Sequence, residues 1–163
     1  MKYIILLLPL FFVSCNKDNP QAKADNVDIS IDIFVQDTVG NNLLTAQVAG
    51  AIDVNAIRLE YLIEQNITSV YNQHWDCPYA VCYIDDPGNE RIRVLPNDSE
   101  STAYPITFIN WGNGDIDTLK CHFIRVVDNE TLSVSCDMVW FNDLRMFPDS
   151  AIISFGRAFR IVK

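Results

Sequence analysis

Cysteine, histidine, acidic and aromatic residues are the groups of this sequence that could do chemistry, and their spacing narrows what that chemistry is. The sequence holds five cysteines, two histidines and 21 Asp and Glu residues. In Cys77-Pro78-Tyr79-Ala80-Val81-Cys82 the spacing suits a small disulfide-closed loop. It does not suit the two-residue interval of thioredoxin-like redox sites or zinc ribbons. Neither His74 nor His122 has metal spacing to a second histidine, and no Gly-x-Ser-x-Gly turn offers a nucleophile. No glycine-rich loop opens a helix to cradle a phosphate. Asn113, Asp115 and Asp117 carry side-chain oxygens at alternate positions, as calcium loops do, but the Gly and distal Glu of an EF-hand are missing. They stand as a weak metal alternative to a reading with no metal and no cofactor. A glycosidase pair cannot be singled out among so many acids. The remaining concentration of chemistry is aromatic. His74, Trp75, Tyr79 and Tyr83 crowd the stretch around the 77–82 pair, where a rigid loop would present a binding surface or cap the open end of a core.

The elements that must position these groups are strands. Val27, Ile29, Ile31, Ile33 and Val35 alternate with mostly polar residues, the pattern of a strand with one buried face. Ile57, Leu59, Tyr61 and Ile63 repeat it, and Gln65-Asn66 would turn the chain into a partner strand at 67–71. Residues 90–95, 102–111, 116–126, 131–141 and 152–162 continue the series, with turn-rich segments between them. No window carries a helical stripe. The expectation is an all-β fold: an antiparallel immunoglobulin-like β-sandwich of about seven to nine strands.

The hairpin around Asn113-Gly114 has residues that tolerate positive φ. A second turn centred between Asp128 and Asn129 would place Cys121 opposite Cys136. Leu119 and Phe123 flank one, Val134 and Met138 the other, so both belong to apolar faces. A cross-strand disulfide is the economical expectation in an exported protein, with two buried thiols as the alternative.

Export is read from the beginning of the sequence. Lys2 is followed by an apolar run from Ile4 to Val13 and a small residue, Ser14. That is the layout of a signal peptide, and the run falls well short of the roughly twenty residues of a membrane-spanning helix. Phe12-Val13-Ser14-Cys15 resembles the lipobox of bacterial lipoproteins, with Phe12 where Leu is usual. The resemblance implies that Cys15 is lipidated, by palmitate-type chains that each add about 0.8 kcal/mol per buried methylene. Residues 1–14 are then the signal peptide, 15–26 a lipidated tether and 27–163 one domain. Asn16-Lys17-Asp18 is similar to the export tag that sends Bacteroidetes lipoproteins to the outer face of the outer membrane. The net charge of −9 argues against nucleic acid and against docking on anionic headgroups, so the lipid is the membrane partner.

The segments Asp37–Leu44, Trp111–Cys121 and Cys136–Asn142 together resemble lipoproteins of unassigned function from Bacteroides and related Bacteroidetes. That resemblance implies the address and no mechanism. The functional expectation is a lipid-anchored envelope protein with a binding module for a glycan or an envelope protein, and not an enzyme. The alternatives are an accessory subunit of an envelope complex and a hydrolase with an unrecognised site. Cys15→Ser is expected to abolish labelling by radioactive fatty acid; labelling that persists in the variant contradicts the lipid anchor.

Overall fold

The structure is a computed structural model that describes residues 23–128 and 131–163. Cys15, the signal peptide and most of the tether lie outside the described residues. Eleven strands form, with no α-helix among those residues: β1 (Lys23–Asp28), β2 (Ile31–Gln36), β3 (Arg58–Ile63), β4 (Asn66–Ser69), β5 (Val81–Ile84), β6 (Arg91–Val94), β7 (Ile106–Asn110), β8 (Ile116–Asp128), β9 (Thr131–Phe141), β10 (Leu144–Phe147) and β11 (Ala158–Val162). One sheet runs β1-β9-β8-β7-β3-β4, with β10 on β9, and the other runs β11-β2-β6-β5. The all-β, sandwich-like expectation holds.

The antiparallel expectation does not. β1 runs parallel to β9 and β11 parallel to β2, so both sheets are mixed. The alternation from Val27 to Val35 reads as one strand, yet the chain leaves the large sheet after Asp28 and enters the small one at Ile31. Parallel partners lie far apart in sequence, and no local pattern announces them. The strand count exceeds the expected range because β5 and β10 are four-residue strands in stretches without alternation. β1 also takes in residues 23–26, which the sequence assigned to the tether.

The inner faces meet in one core. Ile31, Ile33 and Val35 of β2, Ile92 and Val94 of β6, and Phe159 of β11 face Leu59, Ile109, Leu119 and Val139 across the gap. Burying each such side chain contributes about 1.5–3 kcal/mol. β2 is buried on its outer face as well. Phe34 meets the Phe155 ring edge-on at 5.2 Å, and Asp32 lies under Arg91 and Arg93.

Trp111 is the largest fully buried side chain, in the loop between β7 and β8. Gly112 beside it has φ +83°, and a Cβ there would come within 2.5 Å of the Ala56 Cβ. Only glycine fits that close approach. The β3–β4 turn sits at Glu64-Gln65, one residue earlier than expected, with φ of 48° and 70°.

The β8–β9 hairpin overturns the expected Cys121–Cys136 disulfide. Asp128 pairs with Thr131, so the register is displaced from the one centred between Asp128 and Asn129. Cys136 faces Phe123 and Cys121 faces Val139, because His122 pairs with Met138 and Asp137 is left over as a bulge. Both thiols are free and buried on the shared core face. The hydrogen bond with Cys136, then burial, pushes the Cys121 thiol well above its ordinary value.

Candidate functional site

The stretch from Tyr71 to Tyr83 bridges the edge strand of the large sheet, β4, and that of the small one, β5. Its backbone is ordered by local bonds. The Asn72 side chain accepts from the His74 amide at 3.0 Å, and the Asn72 amide donates to the Pro78 carbonyl at 2.7 Å. Cys77 and Cys82 are disulfide-bonded with Cα atoms 5.3 Å apart, as the spacing suggested. Ala80, fully buried with φ 58°, donates to the Cys77 carbonyl and accepts from the Leu95 amide. The loop is therefore closed covalently and tied to the residue that follows β6.

Two of the aromatic residues that were to form a surface or cap the core stand open, Trp75 at 43% and Tyr83 at 38% exposure, while Tyr79 is half-buried. Tyr79 and Tyr83 line a cleft of about 390 Å³ with Asn55, Arg58 and Asp76. That volume lies within the ordinary range of small-ligand sites. His74 and Trp75 are exposed on the same loop but do not line the cleft. Tyr71, 63% exposed, packs on Tyr79 with ring centroids 5.3 Å apart.

The residue that sequence reasoning missed is Arg58. It opens β3, and its guanidinium lies 3.7 Å from the Tyr79 ring centroid, a stacked cation–π contact. One terminal nitrogen donates to the Asn55 and Ile57 carbonyls at 2.7 Å each, which fixes the side chain in the cleft wall. In the sequence Arg58 is simply a polar position of an alternating strand. Nothing local links it to a loop some twenty residues later.

A larger cleft, about 670 Å³, opens between Phe147, Phe155, Arg93 and Arg157. Its charges are already matched: Arg93 forks onto Asp32 and Arg157 onto Asp28. It is a seam between sheets before it is a ligand site.

The weak metal alternative meets a different fate. Asp117 is buried and accepts from the Trp111 indole at 2.7 Å, the Asn142 amide at 2.6 Å and the Lys163 ammonium at 2.6 Å. Lys163 also donates to Asp115, and the Asn113 side chain accepts from the Asp115 amide. The ammonium of a residue far along the chain stands between the two carboxylates, where a cation would have to sit. Among the described residues no group of three or more His, Cys, Asp or Glu is arranged to hold a metal ion.

His122 lies on the outer face of the large sheet, as its position opposite the core-facing Cys121 implied. Its Nδ1 donates to Asp137 Oδ1 at 2.6 Å, and Tyr104 packs on it at 5.5 Å. The bulge that displaces the cysteines gives Asp137 its aim at His122.

Comparison of the chain with protein-family models, with curated proteins and with solved structures finds no significant match.

The two buried carboxylates give the fold a pH dependence. Burial pushes the Asp32 carboxyl up, but hydrogen bonds from Arg93 and Arg91 more than offset it and hold it below its ordinary value. Asp117 is likewise held low, with Lys163, Asn142 and Trp111 outweighing its burial. A carboxyl depressed in the folded state adds stability that is complete above its unfolded pKa and is lost as the pH falls through the folded one. Thermal midpoints followed against pH should therefore fall steeply only below about pH 4. Asp32→Asn should lower the midpoint at neutral pH and make the acid fall shallower. A fall that already sets in near pH 6, about where histidine titrates, contradicts this assignment.

Proposed function

We propose that this chain is a lipid-anchored protein of the outer membrane whose sandwich domain is a binding module. The ligand site is the cleft of Arg58, Tyr79 and Tyr83, and the ligand is a glycan. The observation that carries the reading is the exposed tyrosine edge of a disulfide-closed loop, backed by an arginine stacked on Tyr79. Aromatic rings held on a rigid frame take up the apolar face of a sugar at little entropic cost. Asn55 and Asp76, in the same wall, supply partners for hydroxyl groups. The anchor rests on the signal-peptide layout and lipobox-like run ending at Cys15.

The immunoglobulin-like class is part of the same proposal. Its support is a first edge that passes from one sheet to the other after Asp28, and a last strand, β11, that closes on β2. A second reading, an accessory subunit of an envelope complex, is favoured by β4. That edge strand is exposed at all four residues, with Ile67 60% exposed, and it presents an unpaired side on which a partner strand could add.

The detergent-solubilised protein on a mixed glycan array tests the first reading. Capture should fall about tenfold or more in Tyr83→Ala, as for an aromatic anchor of a small interface, with little change in the unfolding midpoint. Capture that is unaffected, or that declines only in step with stability, overturns it.

A further inference from the structure

Charge pairing in this acidic chain singles out one cation. Nine Lys and Arg side chains occur from residue 26 to 163, and seven of them hold a carboxylate: Arg91, Arg93, Lys120, Arg125, Arg145, Arg157 and Lys163. Among the described residues, Arg58 and Arg160 are the two without one. Arg160 is exposed on β11, with its guanidinium 5.7 Å from the Phe34 ring. Arg58 combines an unmatched charge with a concave site. In a protein of net charge −9, carboxylates are abundant, so a cation left unmatched inside a cleft is available for a group from outside.

Resting on the reading above, we propose that the cleft selects acidic glycans, whose uronate carboxylate pairs with Arg58. The guanidinium is pre-organised by its stack on Tyr79 and by the two carbonyls that hold one terminal nitrogen. A fixed, planar fork suits the two oxygens of a carboxylate and loses little freedom on binding. Asp76 lines the same cleft and accepts hydroxyl protons, whereas it repels a second carboxylate. One charged group surrounded by hydroxyls is the chemistry of a uronate residue. A poly-acidic peptide would place its neighbouring carboxylates against Asp76.

The test is titration of the full chain in detergent micelles with three uronate oligomers. These are fragments of hyaluronan, unsulfated chondroitin and heparosan, in which neutral sugars flank each uronate, each beside its carboxyl-reduced counterpart, with hexaglutamate as a peptide control. At least one uronate oligomer should bind about tenfold or more tightly than its reduced form. Arg58→Gln should remove that preference, so that acidic and reduced forms bind alike. Arg58→Lys, which keeps the charge but not the fork, should retain part of it, and a melting curve establishes that each variant is folded. Equal binding of acidic and reduced forms, or indifference to Arg58→Gln, overturns the inference and leaves the glycan-binding reading standing. Hexaglutamate bound through Arg58 in preference to every uronate overturns it in favour of a peptide ligand. Binding of no probe, acidic or neutral, counts against the inference and the underlying reading alike.

Discussion

The side chain of Arg157 is the joint on which the two sheets depend. Its Nε donates to the Cys136 carbonyl of β9 at 2.6 Å, and its terminal nitrogens reach the Ser30 carbonyl at 2.8 Å and both oxygens of Asp28. Its own carbonyl accepts from the Asp32 amide of β2 at 3.0 Å. One residue thus holds β1 and β9 of the large sheet, the crossover at Ser30 and the entry to β11 in the small sheet. Burial works against its charge, but the hydrogen bonds and charge of Asp28 more than offset this and raise its pKa. Asp32 is the counterpart on the outer face of the small sheet, where two arginines of β6 converge on one carboxylate. Asp117 plays that part at Trp111. Each of these polar joints is internally complete, and among the described residues no buried side-chain polar atom lacks a partner.

That completeness separates the frame from the site. The large cleft at Arg157 is concave and charged, yet its charges are consumed in ion pairs of the frame, Arg157 with Asp28 and Arg93 with Asp32. The smaller cleft is walled by a covalently closed loop and by the end of β3, and its arginine is matched by an aromatic ring and backbone carbonyls, with no carboxylate on it. On the proposed reading, stability and recognition fall to different arginines at different places in the fold. A binding surface at Arg58 would then not place the frame at risk.

How far the sequence could be read follows from the range of the interactions. Alternation along β3, β7, β8 and β9, and the spacing of Cys77 and Cys82, are local, and each leaves a pattern within a few residues. The crowding of aromatics around that pair was legible for the same reason, whereas their exposure was not. What escaped was set by partners far apart in sequence. The parallel pairs β1 with β9 and β2 with β11, the stacking of Arg58 on Tyr79, and Lys163 filling the space between Asp115 and Asp117 have no local signature. The Cys121–Cys136 expectation failed on a shift of register and one extra residue, Asp137, which no alternation rule detects in advance. A slip of that size leaves both thiols on the core face, so the apolar flanks gave no warning of it.

The division between frame and site is tested most directly by one measurement, urea unfolding of the same substitution at two arginines. Arg157→Gln strips partners from the Cys136 and Ser30 carbonyls and should lower the unfolding free energy by about 2 kcal/mol or more. Arg58→Gln removes a partly open side chain with no carboxylate on it and should cost about 1 kcal/mol or less. Equal losses, or the larger loss at Arg58, would contradict the account.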